Sequence, residues 1–381
     1  MDWNATAPLA EPARLAMQEA LRLPGNASSV HSEGRAARAA VDKARRQVAT
    51  LVGGDPAHVI FTSGATEAAN HVLTPDFRMG RSPLAIGRLY VSAIEHPAVR
   101  GGGRFAADQV ETVPVSEIGV IDLVALEAAL TGHDRASGLP LVAVMLVNNE
   151  TGIIQPVAEA ARLVHAHGGL LVVDAVQGVA RMPVDIAALD TDFIFLSSHK
   201  IGGPKGVGAL VARGEALMPV PLIHGGGQEK GHRSGTENFY GIVGFGAAAE
   251  TAAAGLGERA AMIVALRDEL EAGMRAAAPD VEIHGADVPR IGNTCYFTLP
   301  GLKSETGQIA FDLEGISLSA GAACSSGKVG ESHVLTAMGR DAETGALRIS
   351  LGPGTTKEDI ALTLAAFVKI AGRRRGAAEA V

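Results

Sequence analysis

The unbroken apolar run LPLVAVMLV, residues 139–147, is followed at once by Asn148, Asn149 and Glu150 and constrains the fold more than any other stretch. A strand with one wet face alternates apolar and polar residues. A run without alternation is apolar on both faces, the pattern of a parallel strand covered by helices on each side. The same pattern recurs at Val59, Ile60 and Phe61 before a Ser-Gly turn, in RLYVSAIEHP, in GGLLVVDAVQ, and in FIFLSSHK. Each apolar stretch closes on polar groups, and α/β proteins bind ligands at the carboxyl ends of their strands. Helical sequence lies between: residues 11–23, an alanine- and arginine-rich helix stopping at Gly53 and Gly54, a helix from near Thr66, and helices over 123–130 and 157–167. From about Ala248 the texture changes to long helices and then alternating strands, which predicts a second domain.

The totals narrow the function. A chain of 381 residues with 47% hydrophobic content can bury a large core. With 33 basic and 41 acidic side chains, a formal charge of -8 and no long basic run, nucleic acid and anionic membranes are not expected partners. Arg373, Arg374 and Arg375 read as a charge cluster at a helix end. The opening MDWNATAPLAEP lacks a basic leader and an apolar run, no window approaches the ~18 apolar residues of a membrane helix, and a cytoplasmic protein is expected. Only Cys295 and Cys324 occur, too few for a disulfide scaffold or a four-cysteine metal site. Cys295, inside NTCYFTLP, reads as core packing.

Several residues carry candidate chemistry. Lys200 sits at the end of FIFLSSHK with Gly202, Gly203, Gly206 and Gly208 just beyond. A lysine held at a strand end can lose its proton and form a Schiff base, although a solvated turn lysine has the same local sequence. Thr66 opens a helix whose unpaired N–H groups suit a phosphate, or it is only a cap. His96 is fixed by Pro97 at a strand end, and Asp174 is either a functional carboxylate or a turn cap. HGGGQEKGHRSGT, with Arg233 and Thr236, is a glycine-rich, anion-friendly loop. Cys324 lies in the polar, glycine-containing segment GAACSSGKVGES, which favours an accessible thiol over the buried, inert cysteine that is more usual.

Taken together, these blocks resemble the class V aminotransferase family of fold type I enzymes, which use pyridoxal 5′-phosphate (PLP), and within it the cysteine desulfurases. The likeness rests on DWNATAP, GNASSVHSEGR, SGAT, EHP, SSHK, HGGGQE followed by RSGT, and the Cys324 loop. It implies an α/β fold: a large PLP-binding domain over 9–249 with a mainly parallel sheet, and a smaller α+β domain from 250–381 with residues 1–8 beside it. The resemblance makes Lys200 the cofactor lysine, puts Ala65 and Thr66 on the phosphate, stacks His96 on the ring, pairs Asp174 with the pyridine nitrogen and Gln177 with the ring hydroxyl, and adds Asn149, Ser197 and His199 to the cofactor shell. Thr236 reaches the cofactor of the other subunit of a homodimer. Arg348, with Asn149, clamps the substrate carboxylate.

The implied reaction converts L-cysteine to L-alanine. Lys200 and His96 move protons, and Cys324 takes the sulfur as a persulfide for an iron–sulfur scaffold or other acceptor protein. The length of the segment after Cys324, to Val334, is similar to the iron–sulfur housekeeping group. That segment is expected to move, and no resident metal is expected beyond a transient iron–sulfur cluster on Cys324. Trp3, Ala7, Ala322 and the pair Pro353 and Gly354 depart from the family's usual tyrosine, threonine, serine and Arg-Phe. Another class V enzyme, such as a selenocysteine lyase or an aminotransferase, would keep Lys200 without needing Cys324. A non-catalytic scaffold on this fold would need neither.

Overall fold

The computed structural model describes residues 1–321 and 331–379. Cys324 and the segment expected to carry it lie outside the described residues. In chain order the strands of the larger sheet are β1 (Val59–Thr62), β2 (Asp76–Met79), β3 (Ser82–Ser92), β4 (Val110–Val113), β5 (Leu139–Met145), β6 (Leu170–Asp174), β7 (Phe193–Ser197), β8 (Gly208–Ala212) and β9 (Leu217–Pro219). They lie in the order β1-β8-β7-β6-β5-β3-β2-β9, with β4 also paired to β3.

The expected parallel sheet is present as β4, β3, β5, β6 and β7. Antiparallel pairings at both ends, β7 with β8 and β8 with β1, β3 with β2 and β2 with β9, make the whole sheet mixed. Two successive antiparallel steps restore the direction of β1, so its carboxyl end opens on the same edge as that of β7.

Successive residues of the central strands enter different cores, as continuous apolar runs require. Val142, Val144, Leu171, Val173, Ile194 and Leu196 pack on one face beneath helices Ser32–Leu51, Val157–Ala166 and Phe239–Ala253. Leu141, Ala143, Val172, Phe193 and Phe195 pack on the other, against helix Ala65–Val72. Each fully buried valine, leucine or phenylalanine stabilises the fold by about 1.5–3 kcal/mol relative to exposure. Alanine and glycine let the helices come close. A Cβ on Gly246 would lie 2.5 Å from the Cα of Ala44 in the facing helix.

The second sheet is antiparallel, in the order β10 (Glu282–Ile283), β11 (Thr294–Thr298), β13 (Leu347–Ser350), β12 (Ser319–Ala320). Its core joins helices Leu256–Ala277, Ser304–Leu313 and Lys357–Glu379 around Phe297, whose ring lies edge-on to Phe311 and Phe367 at 6.5 and 5.8 Å. Cys295 belongs to this core, 4.0 Å from the Met274 sulfur, and burial pushes its thiol pKa well above the usual value. Helix Phe239–Ala253 packs on the larger core and helix Leu256–Ala277 on the smaller, with a 74° bend between them and Gly255 at φ 63°. Among the described residues no single helix is long and apolar enough to cross a membrane. The N-terminus joins the second sheet: Ser350 N–H donates to the Met1 carbonyl at 2.8 Å, and Trp3 N–H to the Ser350 carbonyl at 3.2 Å.

Candidate functional site

A cavity of about 660 Å3 opens at the carboxyl edge of the parallel strands. It brings together Ala65, Thr66, His96, Asn149, Asp174, Gln177, Ser197, His199 and Lys200, residues that are distant in sequence. β7 ends at Ser197, a single 3-10 turn follows over Ser198–Lys200, and the lysine side chain turns toward the N-terminal segment. Its Nζ donates to the carbonyls of Asn4 at 2.6 Å and Ala5 at 2.9 Å.

Asp174 closes β6. Its Oδ1 accepts from Val176 N–H at 2.9 Å, and burial raises its pKa to about 6 against the pull of that bond and of Lys200. Glu95 lies behind it with no exposure. One of its oxygens takes Met145 N–H at 2.6 Å, the other has no partner among the described residues, and burial followed by the charge of Asp174 lifts its pKa well above the carboxylate range. Two carboxyls close together in a dry site cannot both ionise cheaply, so the proton favours Glu95, the more buried one.

The histidines are tuned the other way. Burial first, then the Lys200 charge, lowers both His96 and His199 to about 4, with His333 adding to the first and Lys205 to the second. Both are therefore neutral near pH 7 and able to accept a proton. His96 Nδ1 accepts Ala98 N–H at 3.2 Å, and His199 Nδ1 is hydrogen-bonded to Thr6 Oγ1 at 3.1 Å.

On the opposite wall β1 runs through Ser63 and Gly64 into helix Ala65–Val72, whose first N–H groups are available to an anion. The backbones here are in close contact: a Cβ on Gly208 would lie 2.6 Å from the Leu196 carbonyl oxygen and 2.7 Å from the Gly64 carbonyl carbon. Among the described residues Asn149 Oδ1 and Gln177 Oε1 are buried without a hydrogen-bond partner, and both residues line the cavity. A buried polar atom left unpaired is costly. The two orphans, the amine and the helix N-terminus together match the polar groups of PLP.

Two expected site residues lie off this wall. Thr236 lines a neighbouring cavity of about 120 Å3 with Ser63, Gly206 and Arg233. Its loop is tied down by Glu229, which accepts two bonds from Arg45 at 2.6 and 2.7 Å and one from Phe61 N–H at 2.9 Å. Arg348 is buried behind Asn149: its Nη1 donates to the Asn149 carbonyl at 2.8 Å, and its Nη2 to Asp2 at 3.0 Å and Ser319 at 2.9 Å. Its Nε has no partner among the described residues.

The sequence did not single out Asn4, Thr6 or Glu95 as site groups. Asn4 is a hub, its backbone carbonyl taking Lys200 Nζ and Gln177 Nε2 while its side chain bonds Thr294 and Asn293. The signal was present in DWNATAP, one of the blocks that carry the family likeness, but with no role attached to Asn4 or Thr6.

Where the described chain resumes, Ser332 and His333 are held by loop residues of the larger domain. Ser332 Oγ and the Tyr296 hydroxyl both donate to Glu150 Oε2, at 2.6 and 2.8 Å. His333 Nε2 donates to the Glu95 carbonyl at 3.0 Å, next to His96.

This arrangement has counterparts among known proteins. A model of the family described as Aminotransferase class-V matches residues 1–362. An IscS-like cysteine desulfurase of Mycobacterium tuberculosis is 38% identical, over 99% of this chain and 97% of its own. A cysteine desulfurase IscS of Dictyoglomus turgidum is 35% identical, over 97% and 93%. The X-ray structure of a NifS-like protein from Rickettsia africae superposes with a TM-score of 0.85 at 32% identity, covering 97% of this chain and 98% of that one. With the lysine, the aspartate and the helix N-terminus around one cavity and likeness along nearly the whole sequence, the chain belongs to the class V aminotransferases and, within them, to the cysteine desulfurases.

Proposed function

We propose that this protein is a homodimeric cysteine desulfurase that converts L-cysteine to L-alanine and passes the sulfur through Cys324 to an iron–sulfur scaffold or other acceptor protein. The observation that carries this is the Lys200 amine at a strand end, sharing one cavity with buried Asp174 and two neutral histidines. The cofactor is PLP, which when bound supplies an aldehyde for amines and a ring that accepts electrons.

The residues divide the work. The N–H groups of Ala65 and Thr66 hold the phosphate at the positive end of their helix, aided by Ser197 and His199. His96 stacks on the ring, and Gln177 meets its hydroxyl. Asp174 keeps the ring nitrogen protonated; a cation there returns its raised pKa toward the usual range. Lys200 gives up its two carbonyl partners, binds the cofactor, and then carries a proton at its Nζ, with His96 as the neighbouring base. Asn149 and Arg348 take the substrate carboxylate, Arg348 exchanging Asp2 for it and using the N–H at its unpaired Nε.

In the same proposal the domains are 9–249 and 250–381 with 1–8, supported by the change of core partner across Ala254 and Gly255. The two-cysteine composition supports a cytoplasmic, reducing setting. Incubating the yellow holoenzyme with L-cysteine and a thiol is expected to give alanine and sulfide in equal amounts. Keto acid without sulfide would point to an aminotransferase instead.

Sharing of sites across the dimer is supported by Thr236, which faces a cavity other than that of Lys200 in its own subunit. Mixing Lys200→Ala with Thr236→Ala subunits places both lesions in one site of each heterodimer and leaves the other intact. Random reassortment of equal amounts makes half of the dimers mixed, each with one intact site, and activity should recover to roughly a quarter of wild type. No recovery, with heterodimers shown by mass, would place Thr236 in its own subunit's site.

A further inference from the structure

Lys200 also forms part of the wall of a second cavity, of about 320 Å3, where the N-terminal segment, the turn after the lysine and the smaller sheet meet. Its wall is chiefly carbon, from Trp3, Ile201, Ile263, Leu351 and Pro353, and among the described residues no aspartate or glutamate lines it. Two guanidinium groups do. Arg259 is already engaged, capping the preceding helix through the carbonyls of Ala252 and Ala254. Arg181 is held more loosely: among the described residues its Nη atoms donate at 3.3 Å to the Gln177 carbonyl and at 3.5 Å to the Lys200 carbonyl. Among the described residues no carboxylate lies within 4.0 Å of it. Burial, and then the charge of Arg348, pushes its pKa down to about 10. Arg181 is half-buried, and a partly desolvated cation without a counter-charge favours an anion beside it.

We propose that this cavity binds a small amphipathic carboxylate, its apolar body against Trp3, Ile263 and Leu351 and its carboxylate on Arg181. A volume near the lower end of the ~300–1,000 Å3 typical of ligand sites suits one ring or a short chain. Trp3, Ala7 and Pro353 all line it, bringing the N-terminal segment and the turn after the last strand of the smaller sheet to one wall. A ligand that recruits Arg181 also draws a donor from the Lys200 carbonyl, on the side away from the cofactor cavity. The inference stands on this geometry and does not depend on the desulfurase reaction.

Trp3 is the only tryptophan, so its emission reports on this cavity directly. Titrating the holoenzyme with 3-phenylpropionate should change that emission saturably, and 3-phenylpropionamide, which lacks the charge, should bind about tenfold or more weakly. Arg181→Met should erase the preference for the acid, whereas Arg181→Lys should keep part of it. Thr251→Phe, which fills the cavity from the helix side and leaves Arg181 in place, should abolish the response. Retained cofactor absorbance checks that each variant is folded. If Arg181→Met does not fold, Thr251→Phe decides. No saturable change in the wild type up to about 1 mM, equal binding of acid and amide, or a full response in Thr251→Phe would overturn the site.

Discussion

Lys200→Ala is expected to lower turnover by at least about 10³-fold, the scale at which a positioned proton-transfer group acts, and to abolish covalent attachment of the cofactor. Borohydride reduction followed by peptide mapping should place the pyridoxyl label on Lys200 in the wild type and find none there in the variant. The competing site is Lys205, which lines the same cavity. Lys200 follows β7 by a single turn, and its Nζ is fixed by two carbonyls at 2.6 and 2.9 Å, whereas Lys205 is exposed beyond Gly202, Gly203 and Pro204. The variant should still fold, because the core beneath the site is built from Val173, Ile194 and Leu196 and contains no part of the lysine. A label on Lys205, or substantial turnover by the variant, would overturn the assignment.

What could be read from the sequence was local. Apolar runs around residues 139–147, 170–174 and 193–197 give their burial in their own composition, and the polar residues closing them fall on one edge once the strands run parallel. The antiparallel strands were also written locally, but in connection length. Parallel neighbours need a crossover of about a dozen residues or more, usually a helix. The link from Ser197 to Gly208 holds one 3-10 turn and glycines, and that from Met79 to Ser82 is a tight turn at Gly80. Both therefore force reversal, which is why the sheet is mixed.

The site residues that escaped notice depend on contacts far apart in the chain. The carbonyls of Asn4 and Ala5 that hold Lys200 are separated from it by 196 and 195 positions, and a backbone oxygen has no side-chain signature. Arg348 was legible as an arginine on a strand, but its partner Asp2 is 346 positions away. Glu95 reads in sequence as one more polar residue at a strand end. Only packing shows that it is sealed behind Asp174, where it biases the proton between the two carboxyls.

Cys324→Ser separates this desulfurase from a relative that ignores the thiol. The described chain leaves the smaller sheet at Gly321, whose N–H is fixed to the Ala346 carbonyl at 2.9 Å, and returns at Ser332 and His333, bound to Glu150 and to the Glu95 carbonyl. Glu95 precedes His96, which lines the cavity, so His333 lies beside the site. An extended chain covers at most ~3.3–3.6 Å per residue, and a span of about ten residues that must come back can carry a thiol roughly 10 Å or more from its roots. The proposed sulfur relay, from a substrate sulfur inside to an acceptor outside, requires a reach of that order. Serine has the length but not the chemistry, because its hydroxyl is a far weaker nucleophile than a thiolate unless a base activates it. The variant should bind the cofactor and still shift its absorbance on adding L-cysteine, yet accumulate no persulfide and release alanine on the order of 10²-fold more slowly or less. The checks are mass spectrometry of the intact chain for an added sulfur atom and alanine measured over a time course. Near-native alanine formation by Cys324→Ser would end the desulfurase proposal and leave a lyase or aminotransferase that needs Lys200 alone.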